Sequence, residues 1–114
     1  MRLPRPDQLR AESEKVAEYL MNVSHRHGAS KAWFFARFGF RLEQWEVLAE
    51  ALRRHGAAHE VTRTHQTPFG PRFEVEGRIV SPDGRNPRLR TVWQWDDGEV
   101  APRLITAYPL EPET

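Results

Sequence analysis

The hydrophobic pattern of this chain changes period at Gly56, and that change restricts the folds open to it more than any other feature. Ahead of Gly56 apolar residues recur at helical spacing; after it they alternate, as in strands with one buried face. From about Glu12 to Asn22, the positions Val16, Tyr19, Leu20 and then Val23 fall on one helical stripe. Glu12, Glu14 and Glu18 sit in its first turns, where the helix dipole favours anions. A loop from Val23 to Ala29 follows, and Ser30 is placed to cap a second helix. Ala32, Phe34, Phe35 and Phe38 give that helix a broad apolar face before Gly39 stops it. The spacing predicts a third helix from about Leu42 to His55. Leu42, Trp45, Leu48, Ala49 and Leu52 form its stripe, Arg53, Arg54 and His55 its last turn, and Gly56 its C-cap.

Beyond Gly56, Glu60 to Gln66 reads as a strand. In Arg72 to Val80, Phe73, Val75, Gly77 and Ile79 alternate against Arg72, Glu74, Glu76 and Arg78, which is a stronger strand pattern. The Asp83-Gly84 turn inside Ser81–Pro87 leads to Arg88–Asp96, where Leu89, Thr91, Trp93 and Trp95 share one face. The Asp97-Gly98 turn precedes a last strand, Arg103 to Tyr108. Short connections predict an antiparallel meander. The fold class expected is therefore α+β: two to three N-terminal helices packed on one face of a four-stranded antiparallel sheet, with the other face open to solvent or a ligand.

At 114 residues the chain suits one domain, with residues 1–11 as an arm, 12–56 as a helical half and 57–110 as a sheet half. Four Trp, six Phe and two Tyr argue for a packed core. The absence of cysteine excludes disulfides, thiolate metal sites and a cysteine nucleophile. The amino-terminal residues carry no apolar signal segment, and no run of about 18 apolar residues follows. A soluble cytoplasmic protein without a membrane partner is expected. His55, His59 and His65 lack metal-ligand spacing, and there is no phosphate-binding loop, dinucleotide fingerprint or serine-hydrolase elbow; neither metal nor cofactor is expected.

The net charge of +1 hides one cationic patch: between Met21 and Arg41 there are four bases and no acid. Such a patch suits a phosphate-bearing partner. Fifteen of the seventeen bases are arginine, so Lys31, one of two lysines, stands out. A lysine in a first helical turn opposes the dipole. Either a salt bridge to a sheet carboxylate or a functional role would explain it. Trp33, Phe34, Phe35, Phe38, Trp45, Trp93 and Trp95 are expected mainly in the core.

The spacing His25-x-x-Gly28-x-x-Lys31-Ala32-x-x-Phe35, then Gly39-Phe40, Phe69-Gly70, Thr91-Val92-Trp93 and Pro102-Arg103-Leu104-Ile105-Thr106-Ala107-Tyr108-Pro109, resembles a family of uncharacterised small bacterial domains. Its members are free-standing proteins and C-terminal toxin-like modules. The resemblance covers roughly residues 12 to 109. Val23 and Arg26 stand where that family usually has proline, and Phe69 where it commonly has tyrosine. More distantly, the layout is similar to the barnase, EndoU, colicin and RelE-like ribonucleases. That resemblance implies a metal-independent endoribonuclease toxin with RNA, such as tRNA or mRNA, as substrate, and a cognate acidic antitoxin or immunity protein as partner.

Metal-independent RNA cleavage requires a base for the ribose 2′-hydroxyl, an acid for the leaving oxygen and cations for the charged phosphorane. His25 and Lys31 flank a helix start that favours phosphate. Arg90, Thr106 and Tyr108 are candidates to complete a catalytic set from the strands, and Arg26, His27, Ser30, Arg72 and Arg78 to bind phosphate. Thr106 and Tyr108 share one face of their strand with Leu104, so either Leu104 sits beyond the site or both polar tips are buried core hydroxyls. Three readings remain, in this order: the endoribonuclease; a non-catalytic antitoxin, immunity or adaptor protein; and a nucleic-acid-binding module without chemistry.

Overall fold

The structure is a computed structural model describing residues 1–22, 24 and 29–111. The chain forms helix α1 (Ser13–Lys15), which runs into a π-helical turn over Val16–Leu20, then α2 (Ala29–Arg37) and α3 (Trp45–Ala58). Strands β1 (Val61–Thr67), β2 (Gly70–Arg78), β3 (Arg88–Gln94) and β4 (Arg103–Pro109) follow. They pair antiparallel in the order β1-β2-β3-β4, the meander expected from the short turns. The α+β architecture thus follows the change of period. No helix among the described residues is long and apolar enough to cross a membrane.

One face of the sheet carries the core. Phe73 and Val75 of β2, Leu89 and Trp93 of β3 and Leu104 and Ala107 of β4 pack with Leu48, Ala49 and Leu52 of α3, and Phe35 of α2 closes the cluster. Full burial of such side chains stabilises by about 1.5–3 kcal/mol each. The first eleven residues run along this core. Leu3, Leu9 and Ala11 are buried. Arg10 bridges parallel to Arg103, its amide donating to the Pro102 carbonyl and its carbonyl accepting from Leu104.

Gly56 does not end α3; it lies inside the helix, which runs two residues further, to Ala58. A Cβ there would stand 2.7 Å from Trp93 Cζ2, so the residue is glycine because the indole packs against bare backbone. His55 lies in the last turn of α3, as expected, and is buried there, 2% exposed. Its Nε2 lies 3.0 Å from the Gly77 carbonyl and 2.9 Å from that of Leu89, and so carries the proton. Its Nδ1 accepts from the Thr91 hydroxyl at 3.0 Å, and Thr91 Oγ1 accepts from Trp93 Nε1 at 2.8 Å. Burial, reinforced by His59 and opposed by the carbonyl bonds, pushes the His55 imidazole down to about 4.

Other expectations shift at element ends. Ser30 sits exposed within the first turn of α2 rather than capping it. Gly39 does stop α2: at φ 99° it lets the Phe40 amide reach back to the Phe35 carbonyl. Leu42 lies in a 3₁₀ turn ahead of α3 and is exposed. Trp33 is 65% exposed, so it is not a core residue. The buried face of α2 is carried by Ala32 and Phe35 instead.

The register of β4 positions the site. Val92 pairs with Thr106, but Trp93 pairs with Leu104, so Ile105 is the extra residue of a bulge. Leu104 therefore joins Trp93 in the core, while Thr106 and Tyr108 stand with Val92 and Arg90 on the opposite face. The bulge separates residues that plain alternation would keep together.

Candidate functional site

Three elements meet at the β4 edge of the sheet. The first turn of α2 supplies Lys31, the π-helical turn supplies Tyr19, and β4 beyond its bulge supplies Thr106 and Tyr108. Lys31 Nζ donates to Tyr19 Oη and to Thr106 Oγ1, both at 2.8 Å. The two hydroxyl oxygens are 3.4 Å apart. The same ammonium lies 4.3 Å from the Tyr108 ring centroid and 5.1 Å from that of Tyr19. Such cation–π contacts hold a cation without neutralising it.

Lys15 reaches the same tyrosine, with its Nζ 5.1 Å from the ring. The two lysines of an arginine-rich chain thus converge on one phenol. Burial pushes the Tyr19 phenol up, but hydrogen bonds from Lys31 and Thr106 and the charges of Lys31 and Lys15 outweigh it and bring it below its ordinary value. Burial lowers Lys15, with Arg103 and Lys31 adding to the effect and Tyr19 opposing it. Among the described residues, no carboxylate lies within ion-pair distance of either ammonium. The salt bridge that would have explained Lys31 structurally is absent there; hydroxyls and ring faces take its place.

The open face of the sheet extends from Tyr108. Arg90 is held by Glu76 at 3.1 Å and by Glu74 at 3.4 Å, so its charge is already compensated. Glu74 also accepts from His65 Nε2 at 2.8 Å. Arg72 donates through Nε to Gln94 Oε1 at 3.0 Å. Gln94 is in turn fixed by the Gly70 carbonyl at 3.1 Å. Arg72 has no carboxylate partner among the described residues. Together these side chains border a pocket of about 480 Å³ that reaches Tyr108.

Of the residues singled out from sequence, Lys31, Thr106 and Tyr108 come together, with Ser30 adjacent in the helix and Arg90 and Arg72 on the neighbouring strands. Arg78 is not drawn in: it donates to the Asn86 carbonyl at the far end of the β2–β3 hairpin. His25, Arg26 and His27 lie outside the described residues. Sequence reasoning missed Tyr19, Lys15 and Glu74. Tyr19 was hidden in an apolar stripe, although a phenol there needs a partner for its hydroxyl, which was the available signal. Among the described residues no three metal-ligating side chains are grouped to hold an ion.

Comparison with known proteins adds two findings. A family model described as a domain of unknown function (DUF6883) matches residues 2–111. Among solved structures, a chain of the contact-dependent growth inhibition toxin–immunity protein complex from Klebsiella pneumoniae 342 is similar, with a TM-score of 0.65 and 15% identity. The alignment covers 94% of this chain and 97% of that one, a likeness of fold. No curated protein matches the sequence.

Proposed function

The chain belongs to the DUF6883 family, and from that premise we propose that it is a toxin-type, metal-independent endoribonuclease acting on tRNA or mRNA in the cytoplasm. One observation carries the reading: the Lys31 ammonium, uncompensated by any described carboxylate, sits between two hydroxyls and an aromatic ring at the edge of an open sheet face. The fold shared with a chain of a toxin–immunity complex supports it.

In the reaction, the ribose 2′-oxygen forms a bond to the adjacent phosphorus and gives its proton to a base; the bond to O5′ then breaks and O5′ takes a proton. Lys31 neutralises charge on the non-bridging oxygens as the phosphorane forms. The Tyr19 phenol, made more acidic by its two ammonium neighbours, delivers the proton to O5′. Thr106 holds Lys31 in place. His25, which the sequence puts just ahead of α2, is the proposed base. An acidic antitoxin or immunity protein is the proposed partner, since the Lys15 and Lys31 ammonium groups at this edge suit a cover of complementary charge.

A second reading, a non-catalytic partner protein, draws on a groove of about 500 Å³ beside α3, where Val47, Ala51, Val80 and Pro82 are flanked by Glu46, Glu50, Arg54 and Ser81. Incubation with tRNA and mRNA in EDTA separates the two. Wild type is expected to leave 2′,3′-cyclic phosphate and 5′-hydroxyl ends, with Lys31→Met slower by about 100- to 1000-fold and His25→Ala also impaired. Intact RNA after prolonged incubation with wild type refutes the nuclease and leaves the partner protein.

A further inference from the structure

The pocket beside Tyr108 has no role in the chemistry above, yet its walls differ from an ordinary solvated strand surface. It is bordered by His65, Arg72, Glu74, Arg90 and Tyr108, and its volume, about 480 Å³, falls in the range of small-molecule sites. Tyr108 belongs to both places: its ring meets the Lys31 ammonium at 4.3 Å, lines the pocket, and remains 44% exposed. Tyr108 thus links a group bound there to a phosphate held at Lys31. We propose that this pocket is a nucleotide subsite that selects guanine; the assignment rests on the reading of Lys31 as the phosphate site.

Each wall offers something a guanine nucleotide uses. The exposed Tyr108 ring gives a stacking surface, which single-stranded nucleic acid needs and which every base accepts. Selection comes from Glu74 and Arg90, 3.4 Å apart. Guanine presents two adjacent N–H donors and a carbonyl on its Watson–Crick edge. A carboxylate takes the two donors and a guanidinium the carbonyl, a complement that adenine, cytosine and uracil lack in that order. His65 at 2.8 Å and Arg90 at 3.4 Å hold the Glu74 carboxylate in position, and each of its oxygens keeps a lone pair free. Arg72, whose Nε is anchored on Gln94, leaves its terminal nitrogens for a neighbouring phosphate.

Calorimetric titration of the whole chain with the four nucleoside 3′-monophosphates tests this without requiring turnover. Guanosine monophosphate is expected to bind about tenfold more tightly than the other three. Glu74→Gln, nearly isosteric, should bring all four within about twofold of one another. Tyr108→Ala should weaken all four alike, by about tenfold. Circular dichroism establishes that both variants are folded; should Glu74→Gln unfold, wild-type discrimination among the four nucleotides decides. Equal affinities in wild type, absence of binding, or a guanine preference that survives Glu74→Gln overturns the proposal. If guanine selectivity is found while wild type fails to cleave RNA, the nuclease reading falls and the subsite stands. If RNA is cleaved without base discrimination in either assay, the subsite falls alone.

Discussion

Acid should loosen this protein through His55 before its carboxylates titrate. The imidazole is neutral in the fold, with Nε2–H shared between two carbonyls and Nδ1 accepting from Thr91, so protonation has no room for a second N–H donor. Its value is pushed down from 6.5 to about 4. The unfolded chain therefore takes up the proton first as pH falls. Stability is complete above about 6.5, declines through the window down to about 4, and loses nothing more from this group below it. That gap corresponds to about 3 kcal/mol, a large share of the stability of a small domain. Urea denaturation at half-unit steps of pH reads the loss in wild type and in His55→Gln. The variant starts less stable at pH 7 by about 2 kcal/mol because the buried relay is broken. Its curve lacks the imidazole's decline, so the two should converge as pH falls. Glu50, Glu60 and Asp83, all held below the usual carboxylate range, titrate in both proteins and cancel in the difference. Parallel curves from pH 7 to 4 would refute the reasoning.

Gly56→Ala should destabilise by about 2 kcal/mol in urea, since the new methyl meets Trp93 at 2.7 Å; helix propensity alone predicts a gain of about 1 kcal/mol, and a gain would sink the packing argument. Phenolate absorbance on raising pH should show one tyrosine ionising below its ordinary value in wild type and moving upward in Lys31→Met, because that ammonium bonds the Tyr19 oxygen at 2.8 Å; identical titrations would dissociate the two. Lys31→Met should keep its unfolding free energy in urea within about 1 kcal/mol of wild type, as the ammonium's described hydrogen-bond partners are hydroxyls and not carboxylates. A collapse in stability would make Lys31 a structural residue.

The helix-then-meander layout was legible because helical spacing and strand alternation each bury one face, and both patterns persist over many residues. Single residues were harder to read. Gly56 carried the signature of a helix stop, yet tertiary packing against Trp93 accounts for it. Trp33 looked like core because it neighbours Phe34 and Phe35, but α2 is too short to bury more than one stripe. Lys31 was legible through its conflict with the helix dipole. The face of Thr106 is not legible in sequence because a bulge at Ile105 breaks the alternation by which faces are assigned, and nothing in the Leu-Ile-Thr-Ala sequence marks it. Tyr19 gave only the general sign of a phenol in an apolar stripe, since the partners that define it lie 12 and 87 positions away.

The scarcity of lysine makes the site chemically addressable. The chain has two lysines, Lys15 and Lys31, and both lie against Tyr19. Reductive methylation with isotopically labelled formaldehyde would therefore place both lysine reporter groups around a single phenol. Their resonances would record the protonation of Tyr19, the arrival of an anion and the docking of a covering protein, with no engineered label and little background from elsewhere in the fold.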